Sequence, residues 1–229
     1  MGRYSLNQRP VHTGDVLEVE TSMSAVEERV KADLVRHGPP AFFNVKFWQA
    51  LGVRRLHLLS GDPRLRGLAS QRENGFVLIR LNHSTRWMQD GELYRRNTQE
   101  DLSPTGVLAH ELGHHFQWAM EEIGRLDPEV PAIFANWNRL KLDRFWCEYG
   151  KTSQTECFAE AFRLNLTNPE LLGQIDDERA YMLTRLMQIF ARHYEKIHGK
   201  KLYGDLKRVS LFQPYEKRAV LDQLQAGME

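Results

Sequence analysis

The spacing of apolar residues changes character at about residue 103. Upstream, short apolar runs alternate with polar stretches. Val26, Val30 and Leu34 recur at i, i+4 and i+8, which predicts an amphipathic helix over 23–37 that ends near Gly38-Pro39-Pro40. Phe42 to Leu51 predicts a second, aromatic-rich helix. Residues 54–60 alternate loosely, and Gly75 to Asn82 carries Phe76, Val77, Leu78 and Ile79. Both segments predict strands, the second more clearly. The polar segments 61–74 and 83–102 read as loops, with a turn at Asp90-Gly91. Residues 1–22 have little periodicity and read as an N-terminal arm.

Downstream the pattern is helical. Ser103-Pro104 supplies an N-cap and a first-turn proline. Val107, Leu108, Leu112 and Phe116 follow at helical spacing, and Gly124 marks a stop, so a helix spans about 103–123. Further helices are predicted over about 131–148, 153–166 and 176–198, with a short last one after Pro214. Early strands followed by late helices predict an α+β fold with a mainly helical C-terminal half. The expected organisation is the arm (1–22) followed by a single domain (23–229).

Composition narrows the function classes. The chain has 229 residues, 41% hydrophobic and 27% charged, with a formal net charge of +1. That balance gives no argument for a nucleic-acid or anionic-membrane partner. The basic run at 192–208 reads as a solvated face. No apolar run approaches the roughly 18 residues that a membrane span needs. The N-terminus has no apolar signal region, so the cytoplasm is the default expectation, with secretion or host delivery by a signal-independent route left open. The two cysteines, Cys147 and Cys157, lack a CxxC partner and read as small buried apolar side chains.

Within the 103–123 helix lies His110-Glu111-Leu112-Gly113-His114, an HExxH run. Positions i and i+4 share a helix face, so both imidazoles can reach one ion, and Glu111 is placed to polarise a bound water. This is the layout of a zinc hydrolase, most often a peptidase. Gly113 costs about 1 kcal/mol relative to alanine inside a helix. Either that cost is tolerated, or the missing side chain lets another segment approach the metal face.

Catalytic zinc usually takes three protein ligands and keeps one position open. Met120 and Trp118 stand where a third histidine would follow the motif. His115 is rotated about 100° from His114 and reads as a packed histidine. Among downstream carboxylates, Glu156 and Glu160 are i and i+4 in an apolar helix, Cys157-Phe158-Ala159-Glu160-Ala161-Phe162. Two acids on one face of a buried helix are costly unless paired or metal-bound. Glu156 has a second reading, because Ser153-x-x-Glu156 is a capping box. Spacing leaves cap and ligand both open. Likewise Tyr149, from the residues alone, reads as a helix-end aromatic.

The segment Tyr149-Gly150-Lys151-Thr152 followed by Glu156-Cys157-Phe158-Ala159-Glu160-Ala161-Phe162-Arg163 resembles the catalytic domain of the anthrax lethal factor-like peptidases. The resemblance covers about 103–165. Cys157 stands where that family has an aromatic residue, and Gln154-Thr155 replaces a more acidic pair. The resemblance implies that His110, His114 and Glu156 bind one Zn²⁺, that Glu111 is the general base, and that Tyr149 donates its hydroxyl to the oxyanion. It also implies that Glu160 orients a ligand histidine.

The expected activity is a zinc-dependent metalloendopeptidase that hydrolyses peptide bonds through a zinc-activated water. A non-peptidase zinc hydrolase and a vestigial binding or structural module are the alternatives, and a toxin or effector role would follow only by analogy. The expected partner is a peptide or protein substrate, paired with an edge strand near Phe76–Leu81 unless that strand is interior.

Overall fold

The computed structural model describes residues 18–21, 45–53, 55–60, 67–70, 76–81 and 104–198. The expected helix at 23–37, the loop at 83–102, Ser103, the last helix after Pro214 and the basic run beyond His198 lie outside the described residues. In chain order the elements are β1 (Glu18–Thr21), α1 (Val45–Ala50), β2 (Arg55–Ser60), β3 (Gly67–Ser70) and β4 (Phe76–Leu81). The helices α2 (Pro104–Ile123), α3 (Glu129–Arg139), α4 (Gln154–Thr167), α5 (Pro169–Ile175) and α6 (Asp177–His198) follow. The described residues are predominantly helical. Among them, no helix is long and apolar enough to cross a membrane.

The strands join in the order β1-β2-β4-β3. β1 and β2 are parallel, with Glu18 opposite Arg55, and β2 and β4 are parallel, with Arg55 opposite Phe76. β3 runs antiparallel to β4, with Gly67 opposite Ile79. Three expectations change here. The arm over 1–22 contains a paired strand. The loop over 61–74 contains β3, whose Gly-Leu-Ala-Ser sequence carries no strand signal of its own and is strand by virtue of its pairing with β4. And Phe76–Leu81 is an interior strand, bonded to β2 on one side and β3 on the other. β3 pairs it over Phe76–Ile79, so that stretch has no free edge for a substrate strand. Among the described strands, β3 is an edge, and it packs against α2.

α2 is the central helix. Every residue from Thr105 to Phe116 is buried, which marks a helix enclosed on all sides rather than one with a single apolar stripe. Its most extensive partner is α4. Phe116 stacks on Phe162 with ring centroids 4.8 Å apart and meets Phe190 of α6 edge-on at 5.5 Å. Trp137 of α3 packs on Phe158 at 5.0 Å. Burying aromatic rings of this size contributes a large share of core stability.

Local signals set the ends of the later helices. Ser153 is extended and its side chain accepts the Glu156 N–H, which starts α4. Asn168 accepts the Leu171 N–H and Pro169 follows it, which starts α5. α3 ends earlier than its apolar spacing suggests. Leu140 and Lys141 are extended, and single 3₁₀ turns at Leu142–Arg144 and Tyr149–Lys151 follow. Leu142 and Phe145, three residues apart, keep a helix-like spacing that the first of these tighter turns uses instead. Gly150 in the second turn lies under the Phe145 ring, where a Cβ would sit 2.2 Å from Cε1. No side chain fits there without moving that ring.

Candidate metal centre

α2 and α4 bring the site together because they touch at a glycine. A Cβ on Gly113 would lie 2.8 Å from Ala159 Cα and 3.2 Å from Phe162 Cβ. Gly113 stands between His110 and His114 on α2, and Ala159 stands between Glu156 and Glu160 on α4. The close crossing therefore draws the two pairs of polar side chains together. Of the two readings of Gly113, the close approach is the one the geometry supports.

His110 Nε2 lies 3.0 Å from Glu156 Oε2 and 3.1 Å from His114 Nε2. His114 Nε2 lies 3.6 Å from the same Glu156 oxygen. The edges of a tetrahedron with metal–ligand bonds of 2.0–2.2 Å are about 3.3–3.6 Å long, and the separations of 3.0, 3.1 and 3.6 Å lie close to them. His110, His114 and Glu156 could hold a metal ion between them.

The chemistry of the donors agrees with the spacing. His110 Nδ1 is 2.8 Å from Glu160 Oε1, so the proton at that nitrogen is given to Glu160. Its Nε2 then presents a lone pair to the centre. Glu156 Oε2 is buried at 3.0 and 3.6 Å from the two imidazole nitrogens, so protons on the imidazoles or a cation shared with them must offset its charge. A buried carboxylate left without either costs free energy. Ser153 supplies the cap oxygen to the Glu156 N–H, which leaves Glu156 Oε2 free to face the histidines.

Without an ion, a proton takes the cation's place. Burial would lower the His110 pKa, but the Glu156 and Glu160 carboxylates outweigh it and push it up to about 10. Burial would raise Glu156, and the two adjacent imidazoles reverse that, holding its carboxyl well below the usual range. Glu160 is likewise raised by burial, then drawn down to about 2 by the Arg163 guanidinium and by His110. Arg163 reaches Glu160 Oε2 through Nε at 2.9 Å and a second nitrogen at 2.8 Å, and both side chains are buried. A single chain of contacts therefore runs from Arg163 through Glu160 to His110.

Glu111 is buried beside these groups and faces β3. Burial raises its pKa, while His110 and His114 and the backbone of Ala69 act to lower it, with a net upward shift. A Cβ on Gly67 would fall 2.1 Å from Glu111 Oε1. Tyr149 is 41% exposed, and its ring is 5.5 Å from His110. His115 points elsewhere, buried edge-on against Trp118 at 5.0 Å. Cys147 and Cys157 are buried free thiols outside the donor set, and burial is the first cause that pushes Cys157 up to about 12.

Arg163 and the β3 backbone were not singled out from the sequence. Arg163 had a signal, because an arginine three residues after Glu160 within an apolar helix is a buried pair in the making. Gly67 and Ala69 had none, since their role depends on strand pairing.

No protein-family model matches the chain, and no curated protein matches it. A solved structure of a zinc-binding metallo-peptidase candidate from Bacteroides caccae is similar at 13% identity, covering 86% of this chain and 82% of that one with a TM-score of 0.44. A likeness at that level carries no argument, and the case for a metal rests on the arrangement of His110, His114 and Glu156.

Proposed function

We propose that this chain is a zinc-dependent metalloendopeptidase of the lethal factor-like type, with an α+β catalytic domain over 23–229 and one Zn²⁺ per chain. The observation that carries the reading is the convergence of His110 Nε2, His114 Nε2 and the buried Glu156 Oε2, which lies 3.0 and 3.6 Å from the two imidazole nitrogens. Zinc held there would supply a Lewis acid and an acidified water.

The remaining steps belong to the protein. His110 is oriented by its Nδ1–H bond to Glu160, which Arg163 clamps in turn. Glu111 takes the water proton and passes it to the leaving amine. In the metal-free site, burial raises its proton affinity. Its carboxylate is steadied by the β3 backbone at Ala69 and boxed by Gly67. Tyr149, exposed and with its ring 5.5 Å from His110, donates its hydroxyl proton in a hydrogen bond to the developing oxyanion, a contribution of about 10²–10³ in rate. An extended peptide substrate pairs with β3, an edge among the described strands.

The test is elemental analysis of dialysed protein together with cleavage of a randomised peptide mixture. Wild type is expected to hold near one zinc and to cleave. Glu156→Ala is expected to lose the metal, and Glu111→Gln to keep the metal and lose cleavage. Zinc retained in full by Glu156→Ala would refute the ligand set. Zinc-loaded wild type that cleaves nothing in the mixture would refute the peptidase reading.

A further inference from the structure

Trp118 stands one turn beyond His114 on α2, where a third histidine would continue the spacing of the motif. Side chains on a helix lean toward its N-terminus, so the indole is carried back over His114. Its plane lies 26° from that of the imidazole, with ring centroids 6.2 Å apart, an offset-stacked arrangement. The indole is itself held, because the buried His115 meets it edge-on at 5.0 Å and 75°. The His114 ring also meets the His110 ring edge-on, at 4.8 Å and 82°. A stacked contact and a perpendicular one together restrict rotation of the His114 imidazole about χ2.

That restriction matters at a metal centre. The χ2 torsion of histidine is broad, so a ligating imidazole needs something besides its rotamer to aim its nitrogen, and ligand distances tolerate only about 0.2 Å. His110 is aimed by the hydrogen bond from Nδ1 to Glu160. Among the described residues, no carboxylate bonds the Nδ1 of His114 in that way, and the Trp118 ring flanks it instead. We propose that Trp118 is the positioning residue of His114. The chain His115–Trp118–His114 does by ring packing what Arg163–Glu160–His110 does by charge. It lies wholly within α2, so His114 is aimed by its own helix, whereas His110 is aimed from α4. The role rests on the metal-site reading of His110, His114 and Glu156. What it requires of position 118 is a ring plane, since an aliphatic side chain would fill the space without fixing an orientation.

The test compares Trp118→Phe with Trp118→Met in the whole chain. Both remove the indole and leave side chains of similar bulk, and only phenylalanine keeps a ring plane. Zinc affinity is read by competition with a chromophoric chelator, and ligand geometry by the visible absorption of the Co²⁺-loaded protein. Trp118→Phe is expected to bind zinc within about twofold of wild type and to keep the wild-type Co²⁺ spectrum. Trp118→Met is expected to bind zinc about five- to tenfold more weakly, the worth of one aromatic pair, with an altered spectrum. The two variants are expected to melt alike without metal, because their bulk is matched. Equal zinc affinity in the two variants, or the wild-type spectrum in Trp118→Met, would overturn the proposal and leave Trp118 a packing residue. So would a loss of affinity in Trp118→Met that is matched by a loss of metal-free stability. A wild type that binds neither zinc nor Co²⁺ would instead refute the metal reading on which the role rests.

Discussion

Gly113→Ala sets helix propensity against packing, and the two predict opposite signs. Taken alone, the substitution stabilises a helix interior by about 1 kcal/mol. In the fold, the new Cβ would meet Ala159 Cα at 2.8 Å and its carbonyl oxygen at 3.1 Å. Carbon atoms rest at about 3.5–4.0 Å, so α2 and α4 must part by roughly 1 Å. The atoms in the way are backbone and cannot swing aside as the end of a side chain can. Overpacking of this kind costs about 1–3 kcal/mol, which leaves the metal-free variant between unchanged and about 2 kcal/mol less stable. The larger effect falls on the metal. His110 and His114 flank position 113, Glu156 and Glu160 flank 159, and ligand distances tolerate only about 0.2 Å. Zinc affinity is expected to fall about 10–100-fold, in the range seen when ligand orientation is disturbed. Urea unfolding of chelator-treated protein reads the first term, and competition with a chromophoric chelator reads the second. A variant more stable by the full propensity gain, with unchanged zinc affinity, would refute the argument that this glycine sets the helix crossing.

Three further outcomes follow from the site. Arg163→Met strips the buried Glu160 carboxylate of its guanidinium and should cost about 3–5 kcal/mol in chemical denaturation, far more than an exposed pair such as Arg125–Glu122. Glu111→Gln should keep its zinc while cleavage falls by about 10²–10⁴, and loss of metal in that variant would show Glu111 to be a structural group. In the metal-free protein the His110 pKa is raised from 6.5 to about 10. The stability it contributes is therefore fully present below pH 6.5 and is lost as pH rises through 10, a decline of a few kcal/mol. Zinc replaces that proton, so the loaded protein should show a flat melting temperature over the same window. Its formation near pH 8 should release about one proton, measurable by calorimetry in buffers of different ionisation enthalpy.

The sequence was legible where function and local structure use the same residues. The HExxH spacing is a helix pattern, so motif and helix confirm one another, and α2 runs over Pro104–Ile123 close to its predicted 103–123. Ser153 was legible as a cap, and its oxygen serves the Glu156 backbone N–H; the Glu156 side chain faces the histidines instead of closing the capping box. What could not be read depends on contacts between distant segments. β3 has neither β-branched nor aromatic residues, and β4 gives no sign in sequence that it is paired on both sides. The end of α3 was obscured because Leu142 and Phe145 repeat at intervals that a 3₁₀ turn and an α-helix share.

The clamp between Arg163 and Glu160 bears on how this site can change by descent. Losing either residue alone strands a charge in the interior, whereas losing both together can be close to neutral. Lineages carrying the pair therefore sit on a fitness ridge: single substitutions are purged for their effect on folding before any effect on chemistry is felt. The orientation of His110 is sheltered by the same selection, because Glu160 serves both the guanidinium and the imidazole. An inactive descendant would be expected to lose Glu111 or Tyr149 first, and to keep Glu160 and Arg163 long after its activity had gone.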